Sequence, residues 1–331
     1  MTAVSTAGDA SGPAAAIERA LAALSTGEDA AAALASLEQS LLAESPAAVA
    51  SAIERFLASG RNADTGLDLR VAEGGALESA PTLRVALLDW LGLIDPERAA
   101  QASLAVLDRR TSPDEWAVAL RNLVWSGDAY EFVVRDRTEA LLRDTAWSQE
   151  PSTGYLEAFD LVVHGQSLHL VDELAAWIGR GDAPELRWAA FLTLDRLVIA
   201  SPARTLAALL EVPAIGDEPV VRASLFARAD LREADQRAVV ERYLRADDVG
   251  PEEIETFARR FPLHSRALGP RLVTREEVPG ITEQARLDRA ALRTLEDWIA
   301  EDELADRRAA LQLARARLES RVESARRGGV L

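Results

Sequence analysis

The sequence predicts an all-α protein built as an α-solenoid of antiparallel helix pairs, and three observations lead to this fold class. Eight of the 14 prolines recur at steps of 33, 35, 32, 38, 33, 35 and 32 residues. These lattice prolines are Pro13, Pro46, Pro81, Pro113, Pro151, Pro184, Pro219 and Pro251. The tenth residue after each of them is apolar, and aromatic residues make up only 5% of a chain dominated by helix-forming Ala and Leu. A self-similar period near 34 residues is typical of helical repeat arrays.

The lattice prolines are expected to begin helices. Proline suits the first helical position, where its missing N–H would have no partner. Ser45 and Ser112 precede lattice prolines as candidate N-caps, and Glu115 completes a capping box with Ser112. Asp95-Pro96 and Ser201-Pro202 repeat the signal inside their repeats, which predicts a second helix in each unit.

Residues 80–250 resemble HEAT repeats of the short type related to phycobilisome-lyase repeats. The matching stretches are Pro81–Pro96, Asp182–Ala190 and Asp217–Arg222. The resemblance implies a right-handed superhelix. It also implies a ladder in which Arg84, Arg187 and Arg222 pair with carboxylates of adjacent repeats. Two units depart from the pattern, because Trp116 and Gly154 stand where this arginine is expected.

The chain divides into three predicted regions. Residues 1–12 are small and polar, which predicts a disordered N-terminus. Residues 13–279 form the repeat array, and residues 280–331 form charged capping helices, since a solenoid needs a polar cap at each end. Within the last region Leu304, Leu311, Leu318 and Ala325 keep a spacing of seven. This spacing fits either a coiled-coil seam or, the reading we favour, the packed face of a capping helix.

One repeat is irregular, at residues 60–80, where a second helix is expected. Gly74-Gly75 and the alternation of apolar and polar residues before it predict a β-hairpin in this loop. The favoured interpretation is a segment that covers the first helix where its partner is missing. The other interpretation is a binding loop that uses Arg61, Asn62, Asp64 and Arg70, because long loops inside compact arrays often carry function.

Two of the seven tryptophans are candidate binding residues. Trp116 and Trp188 stand near the beginning of predicted helices, where they could line a concave wall, and tryptophan and arginine are enriched at binding hot spots. The alternative is that they fill the core, as most of the tryptophans are expected to do.

Composition excludes several classes of function. The net charge is −17 and all 37 basic residues are arginine, which argues against nucleic acid and against an anionic membrane surface as partners. The absence of cysteine excludes disulfides and thiolate sites. Neither a signal peptide nor an apolar membrane-spanning run is found, so the protein is expected in the cytoplasm. Asp160 and His164 are four residues apart and could serve a metal, but ordinary structural roles are favoured and no metal or cofactor is predicted.

The function predicted from the sequence is therefore a scaffold that binds another protein or a peptide on the concave face of the array. The alternative is an accessory enzyme or cofactor-attachment factor of the lyase type, with polar groups near residues 60–80 and 160–173. No catalytic residue is predicted, and the non-enzymatic interpretation is favoured.

Overall fold

The computed structural model of the chain describes residues 12–266, 271–275 and 278–328. The described part is mostly helical, as predicted, with one short hairpin. It forms two compact units. The first contains Met1–Leu161 and Pro270–Thr274, and the second contains Val162–Gly269 and Arg275–Leu331. The predicted disordered segment, residues 1–12, lies outside the described residues except for Gly12.

The first unit is helical apart from the hairpin. Its elements are α1 (Pro13–Ser25), α2 (Ala30–Leu42), α3 (Pro46–Ser59), β1 (Arg70–Val71), β2 (Leu77–Ser79), α4 (Leu83–Ile94), α5 (Pro96–Leu107), α6 (Pro113–Trp125), α7 (Glu131–Leu142), α8 (Thr145–Gln149) and α9 (Thr153–Glu157). A short helix, α10 (Asp160–His164), spans the boundary between the units along the chain. The second helix predicted at Asp95-Pro96 is present as α5.

The second unit is also helical. Its elements are α11 (Val171–Ile178), α12 (Pro184–Ala200), α13 (Pro202–Leu210), α14 (Pro213–Gly216), α15 (Pro219–Phe226), α16 (Ala234–Arg245), α17 (Pro251–Arg260), α18 (Ile281–Ala300) and α19 (Arg308–Arg327). Among the described residues, none of the helices combines the length and the apolarity that crossing a membrane requires.

Six of the eight lattice prolines occupy the first residue of a helix. Pro81 and Pro151 do not: Thr82 and Ser152 follow them and act as the N-caps of α4 and α9. Each hydroxyl accepts a hydrogen bond from a first-turn N–H, which stabilises the helix end. The expectation for these two prolines was therefore wrong by two residues, because the N-cap residue directly follows each proline and the helix begins after it.

The two N-caps predicted from the sequence, Ser45 and Ser112, differ from each other in the structure. Ser112 does accept from the Glu115 N–H at 3.1 Å, but Ser45 makes no side-chain cap bond. The predicted capping box at Glu115 is wrong, because its carboxylate is taken by Arg84 instead. A bidentate bond to a guanidinium is stronger than a bond to one backbone N–H.

The tenth residue after each lattice proline lies in the core. Seven of these eight residues are buried, namely Phe56, Leu91, Leu123, Leu161, Leu194, Ala229 and Phe261. The eighth, Ala23, is half-buried in α1. The periodicity found in the sequence therefore marks the side chains that neighbouring helices share.

The three arginines expected to form a ladder each bind a glutamate 31 residues later. Arg84 Nε and Nη2 donate to Glu115 Oε1 and Oε2 at 2.8 and 3.1 Å, and Arg222 binds Glu253 in the same way at 2.7 and 2.9 Å. Both pairs are buried. Arg187 donates to Glu218 at 2.7 Å in a more exposed position. The predicted pairing with carboxylates of the next repeat is confirmed at all three positions.

Gly154 stands where the ladder arginine is missing in its repeat. Its N–H donates to Asp114 Oδ1 at 2.8 Å, and Ser152 Oγ donates to the same oxygen at 2.8 Å. A Cβ on Gly154 would lie 2.4 Å from that oxygen and 2.6 Å from the Asp114 Cα. The chain at Gly154 approaches the beginning of α6 so closely that no larger side chain fits at this position.

A second set of ion pairs lies deeper. In the first unit Arg121 Nη1 donates to Asp89 Oδ1 at 2.6 Å, and in the second unit Arg228 Nε and Nη2 bind Asp195 at 2.6 and 2.8 Å. Each acid lies in the middle of a first helix and is 1% exposed. The first pair joins α4 to α6, and the second joins α12 to Arg228, which lies two residues after the end of α15.

The irregular repeat contains the predicted hairpin. Strands β1 and β2 pair antiparallel, with Arg70 opposite Ser79, and the turn includes Gly74 and Gly75 at φ of 99° and 91°. Gly75 requires this left-handed conformation, and a Cβ there would lie 2.3 Å from the carbonyl oxygen of Leu272. The segment between α3 and α4 therefore contains a hairpin where the sequence pattern leads one to expect a second helix.

The charged C-terminal region forms the two long helices predicted from the sequence. Helix α19 packs against α17 and α18, and Leu304, Leu311 and Leu318 are buried within the second unit. Ala325 is half-buried. The spacing of seven therefore marks a face of α19 and the turn before it that packs inside this unit.

Raising the pH above about 10 is expected to destabilise the protein through Tyr243. Burial first, and then the charge of Glu253, raise the pKa of Tyr243 well above its usual value near 10. The folded state therefore keeps this proton while the unfolded state loses it. The stabilisation is complete below pH 10 and declines above it, by up to about 1.4 kcal/mol per pH unit.

The measurement is urea unfolding between pH 8 and about 11.5. The chain contains no lysine, so tyrosines dominate titration in this range. Tyr243→Phe should flatten the alkaline decline relative to the wild type, whereas Tyr130→Phe, at a half-exposed tyrosine, serves as the matched control. Equal slopes for the wild type and Tyr243→Phe would contradict the assignment.

Candidate functional site

An open apolar groove is lined by four helices of the second unit, α11, α12, α15 and α17; we call it the Trp188 groove. Its volume is about 420 Å³. Its lining residues are Ile178, Pro184, Arg187, Trp188, Phe191, Val220, Val221, Ser224 and Arg260. The members from α12 are spaced i, i+3, i+4 and i+7, which places them on one face of that helix.

The floor of the Trp188 groove is aromatic and unusually exposed. Trp188 is 54% exposed and Val220 is 52% exposed. The rings of Trp188 and Phe191 lie 5.3 Å apart at 31°. The opposite face of α12 is packed in the core through Leu186, Ala190 and Leu194. Helix α12 therefore carries apolar side chains on two opposite faces, and its own core buries only one of them.

Two arginines border the groove. Arg187 is bound to Glu218, as described above. Arg260 donates to Ser224 Oγ, and no carboxylate of the described residues lies within ion-pair distance of its guanidinium. The groove therefore offers positive charge beside apolar surface on a chain whose net charge is −17.

A second concave site lies in the first unit, between α2, the hairpin and α4; we call it the hairpin cavity. Its volume is about 560 Å³. Its apolar wall includes Leu34, Leu67, Leu77 and Trp90. The charged residues that line it are Glu38, Asp68, Arg70, Glu78 and Asp89.

Asp89 is the buried acid of the hairpin cavity. Its Oδ1 accepts hydrogen bonds from the Leu77 N–H at 3.2 Å and from Arg121 Nη1 at 2.6 Å. Burial raises the pKa of Asp89, against the opposing effect of Arg121. Burial likewise lowers the pKa of Arg121, which is 0% exposed and also donates to the Gly75 carbonyl at 2.6 Å.

The structure places the four predicted loop residues in different roles. Arg61 pairs with Glu18 of α1 on the surface. Asn62 Oδ1 accepts from the Arg84 N–H at 3.1 Å. The backbone of Asp64 forms an antiparallel bridge with Thr82. Arg70 alone of the four lines a concave site, the hairpin cavity.

The two predicted tryptophans also differ. Trp116 is 7% exposed, its Nε1 donates to the Arg109 carbonyl at 2.9 Å, and its ring meets Trp147 edge to face at 5.3 Å. This is the packing role that was the alternative for this residue. Trp188 lies on the surface of the groove, so the structure brings it together with Arg260 and Phe191 but not with Trp116.

The region 160–173 does not form a metal centre within the described ranges. Asp160 Oδ2 accepts from the N–H groups of Val273 and Thr274 at 2.6 and 2.8 Å, and its Oδ1 accepts from Thr274 Oγ1 at 2.6 Å. His164 is exposed at the end of α10. In the part of the chain that the structure describes, no group of three or more His, Asp or Glu side chains could hold a metal ion.

Sequence reasoning missed Arg260, Phe191 and Val220 in the groove and Asp89 in the cavity. The sequence spacing could have identified Phe191, because it lies three residues after Trp188 and four after Arg187 and so shares their face of α12. Asp89 also had a signal, since it is a lone carboxylate in the apolar run of α4. Such an acid is expected to be paired once buried.

Comparison with known proteins gives no relative, since no family model, no curated protein and no solved structure matches this chain. The function therefore has to be argued from these two sites.

Proposed function

We propose that this protein is a non-enzymatic scaffold, and that the Trp188 groove binds an apolar peptide segment of another protein that carries Asp or Glu residues. The observation that supports it best is the exposed Trp188, which lies beside Phe191 and Val220. Leaving these side chains in water is unfavourable by about 25 cal/mol for each Å² of apolar surface that a partner could cover. Tryptophan is also the residue most typical of binding hot spots.

Charge indicates the polar character of the peptide. Arg260 lacks a carboxylate partner among the described residues, and a guanidinium can bind a carboxylate with two parallel hydrogen bonds. A basic peptide would be repelled at this border, although the rest of the chain is acidic. A segment with both apolar and acidic side chains would pack its apolar side chains against the groove and bind Arg260 with its carboxylates.

We further propose that the helix pairs are HEAT-like repeats of a right-handed α-solenoid. The support is the ladder, in which Arg84, Arg187 and Arg222 bind glutamates at an identical separation of 31 residues. The groove lies on the helices that carry Arg187 and Arg222, so the repeat architecture supplies the rows of side chains that a peptide would follow.

The test is selection from a random peptide library against the wild-type protein, followed by measurement of the Kd of the enriched peptides by fluorescence polarisation. We expect enrichment of peptides that combine aromatic or aliphatic residues with Asp or Glu. Trp188→Ala should weaken their binding roughly 30-fold, the effect of losing a hot-spot residue. The fold should be retained, because the side chain is more than half exposed.

Matched variants separate the groove from the rest of the surface. Phe132→Ala removes an aromatic side chain that is 69% exposed in the first unit and should leave binding unchanged. Arg260→Gln should weaken acidic peptides only, whereas Arg259→Gln, at an arginine paired with Glu255, should not. Enrichment of the same peptides by the Trp188→Ala protein would refute the groove as the binding site.

A further inference from the structure

The hairpin cavity exists because one helix of the repeat pattern is missing. After α3 the chain forms the hairpin in place of a second helix, and α2 on one side and α4 on the other are left facing an open space. Helix α2 has only Leu37 and Leu41 buried. Ala31, Leu34 and Ala35 of the same helix line the cavity. The space is therefore a product of the fold and is bounded by regular elements on two sides.

The size of the cavity indicates what can occupy it. The cavity of about 560 Å³ lies within the range of about 300–1,000 Å³ that is usual for small-molecule sites. A small molecule or a single side chain of a polypeptide therefore fits.

The charge of the lining favours a cation. Glu38, Asp68 and Glu78 line the cavity, and none of the three has an ion pair or a side-chain hydrogen bond within the described residues. Arg70 is the single cation of the lining. Even when Asp89 is counted as neutralised by Arg121, acidic side chains outnumber basic ones by three to one around this space.

Asp89 adds a feature that a surface cluster of acids lacks. It is 1% exposed, yet it lines the cavity. Both of its hydrogen bonds are accepted by Oδ1, so Oδ2 has no donor among the described residues. Because Asp89 lines the cavity, a donor on a ligand in the cavity can bond to Oδ2.

The apolar wall excludes an inorganic ion. Leu34, Leu67 and Trp90 give the cavity a large non-polar surface, whereas a hard metal ion needs a shell of six or more oxygens. The carboxylates of the described residues do not converge to hold such an ion. The face of a tryptophan attracts an organic cation.

We propose that the hairpin cavity is a binding site for an organic cation with an apolar body, in which an ammonium or guanidinium group meets the carboxylates and the body lies against Leu34 and Trp90. The cation is either a free amine or the side chain of Lys or Arg in a polypeptide. This site is independent of the Trp188 groove, which belongs to the other unit.

The experiment is isothermal titration calorimetry of the full chain at low salt with four probes. The two cations are 2-phenylethylammonium and N-acetyl-arginine amide, and the controls are neutral 2-phenylethanol and anionic 3-phenylpropanoate. We expect saturable binding of at least one cation with a Kd below about 1 mM, and none of either control. The cation that binds tighter indicates whether the source is a free amine or a polypeptide side chain.

Variants then locate the site. Glu38→Gln combined with Glu78→Gln changes two exposed residues, so folding should be preserved, and it should weaken cation binding at least tenfold. Glu44→Gln combined with Glu131→Gln makes the same change in charge at exposed glutamates outside the cavity and should have no such effect. Trp90→Leu should weaken binding without a change in charge. Failure of both cations to bind, equal binding of the neutral control, or equal loss in the two double variants would overturn the proposal.

Discussion

Replacing Arg222 with Gln is expected to lower the free energy of unfolding by about 3–5 kcal/mol. Arg222 is 3% exposed and binds both oxygens of Glu253, which is also buried and accepts a hydrogen bond from Tyr243. The substitution leaves the carboxylate buried with only the tyrosine hydroxyl as a partner. A buried charge without its counterion cannot be solvated by water, so most of the cost comes from Glu253 and not from the lost contact itself.

The measurement is urea unfolding followed by circular dichroism, with Arg259→Gln as the matched control. Arg259 forms an exposed pair with Glu255 on the same helix, and its substitution should change the free energy of unfolding by no more than about 0.5 kcal/mol. The double variant Arg222→Gln/Glu253→Gln should be less destabilised than the sum of the single variants, because neither charge is then left alone. Strict additivity would show that the two side chains are not coupled.

The ladder to which Arg222 belongs was expected from the resemblance to HEAT repeats, whose arginine position recurs in this sequence. Each arginine lies three residues after a lattice proline and its glutamate lies one repeat later. The hairpin was predictable because Gly74-Gly75 is a local turn signal. The helical content followed from the composition and the period, and the tenth residue after each lattice proline marked positions that are buried in seven of eight cases.

The hydrogen bonds of the interior carboxylates were not predictable in the same way. Asp160 binds Thr274, which is 114 residues away, and no periodicity connects the two. Asp89 interrupts an apolar run, and sequence alone does not say which of the 37 arginines reaches it. Such contacts depend on how the irregular segments return to the helices, and this is decided by tertiary packing.

The tryptophans show how little separates a core residue from a surface residue. Trp116 is the third residue after Pro113, and Trp188 is the fourth residue after Pro184. One residue corresponds to a rotation of about 100° around a helix. That rotation turns Trp116 toward Trp147 in the core and Trp188 toward solvent. Both tryptophans were candidates from the sequence, because the preceding proline indicates where a helix begins but not which way each side chain points.

The first unit has its own buried arginine, and Arg121→Gln is expected to lower the free energy of unfolding by about 3–5 kcal/mol as well. Arg121 is 0% exposed and donates to Asp89 and to the Gly75 carbonyl. Its guanidinium also lies 4.0 Å from the ring centroid of Trp125. The substitution would leave Asp89 buried without a counterion and would remove the bond that holds the hairpin turn.

Hydrogen exchange tests whether Arg121 holds the hairpin turn in addition to stabilising the core. The Leu77 N–H donates to Asp89, so its protection and that of residues 70–79 should fall more than protection in α6 when Arg121 is replaced. Adding Asp89→Asn should recover part of the stability, because the buried negative charge is removed. Arg135→Gln, at an exposed arginine of α7, should change the stability by less than about 0.5 kcal/mol. A hairpin that stays protected in the Arg121→Gln protein would mean that the strands and Gly75 hold it without the guanidinium, and that Arg121 serves only to neutralise Asp89.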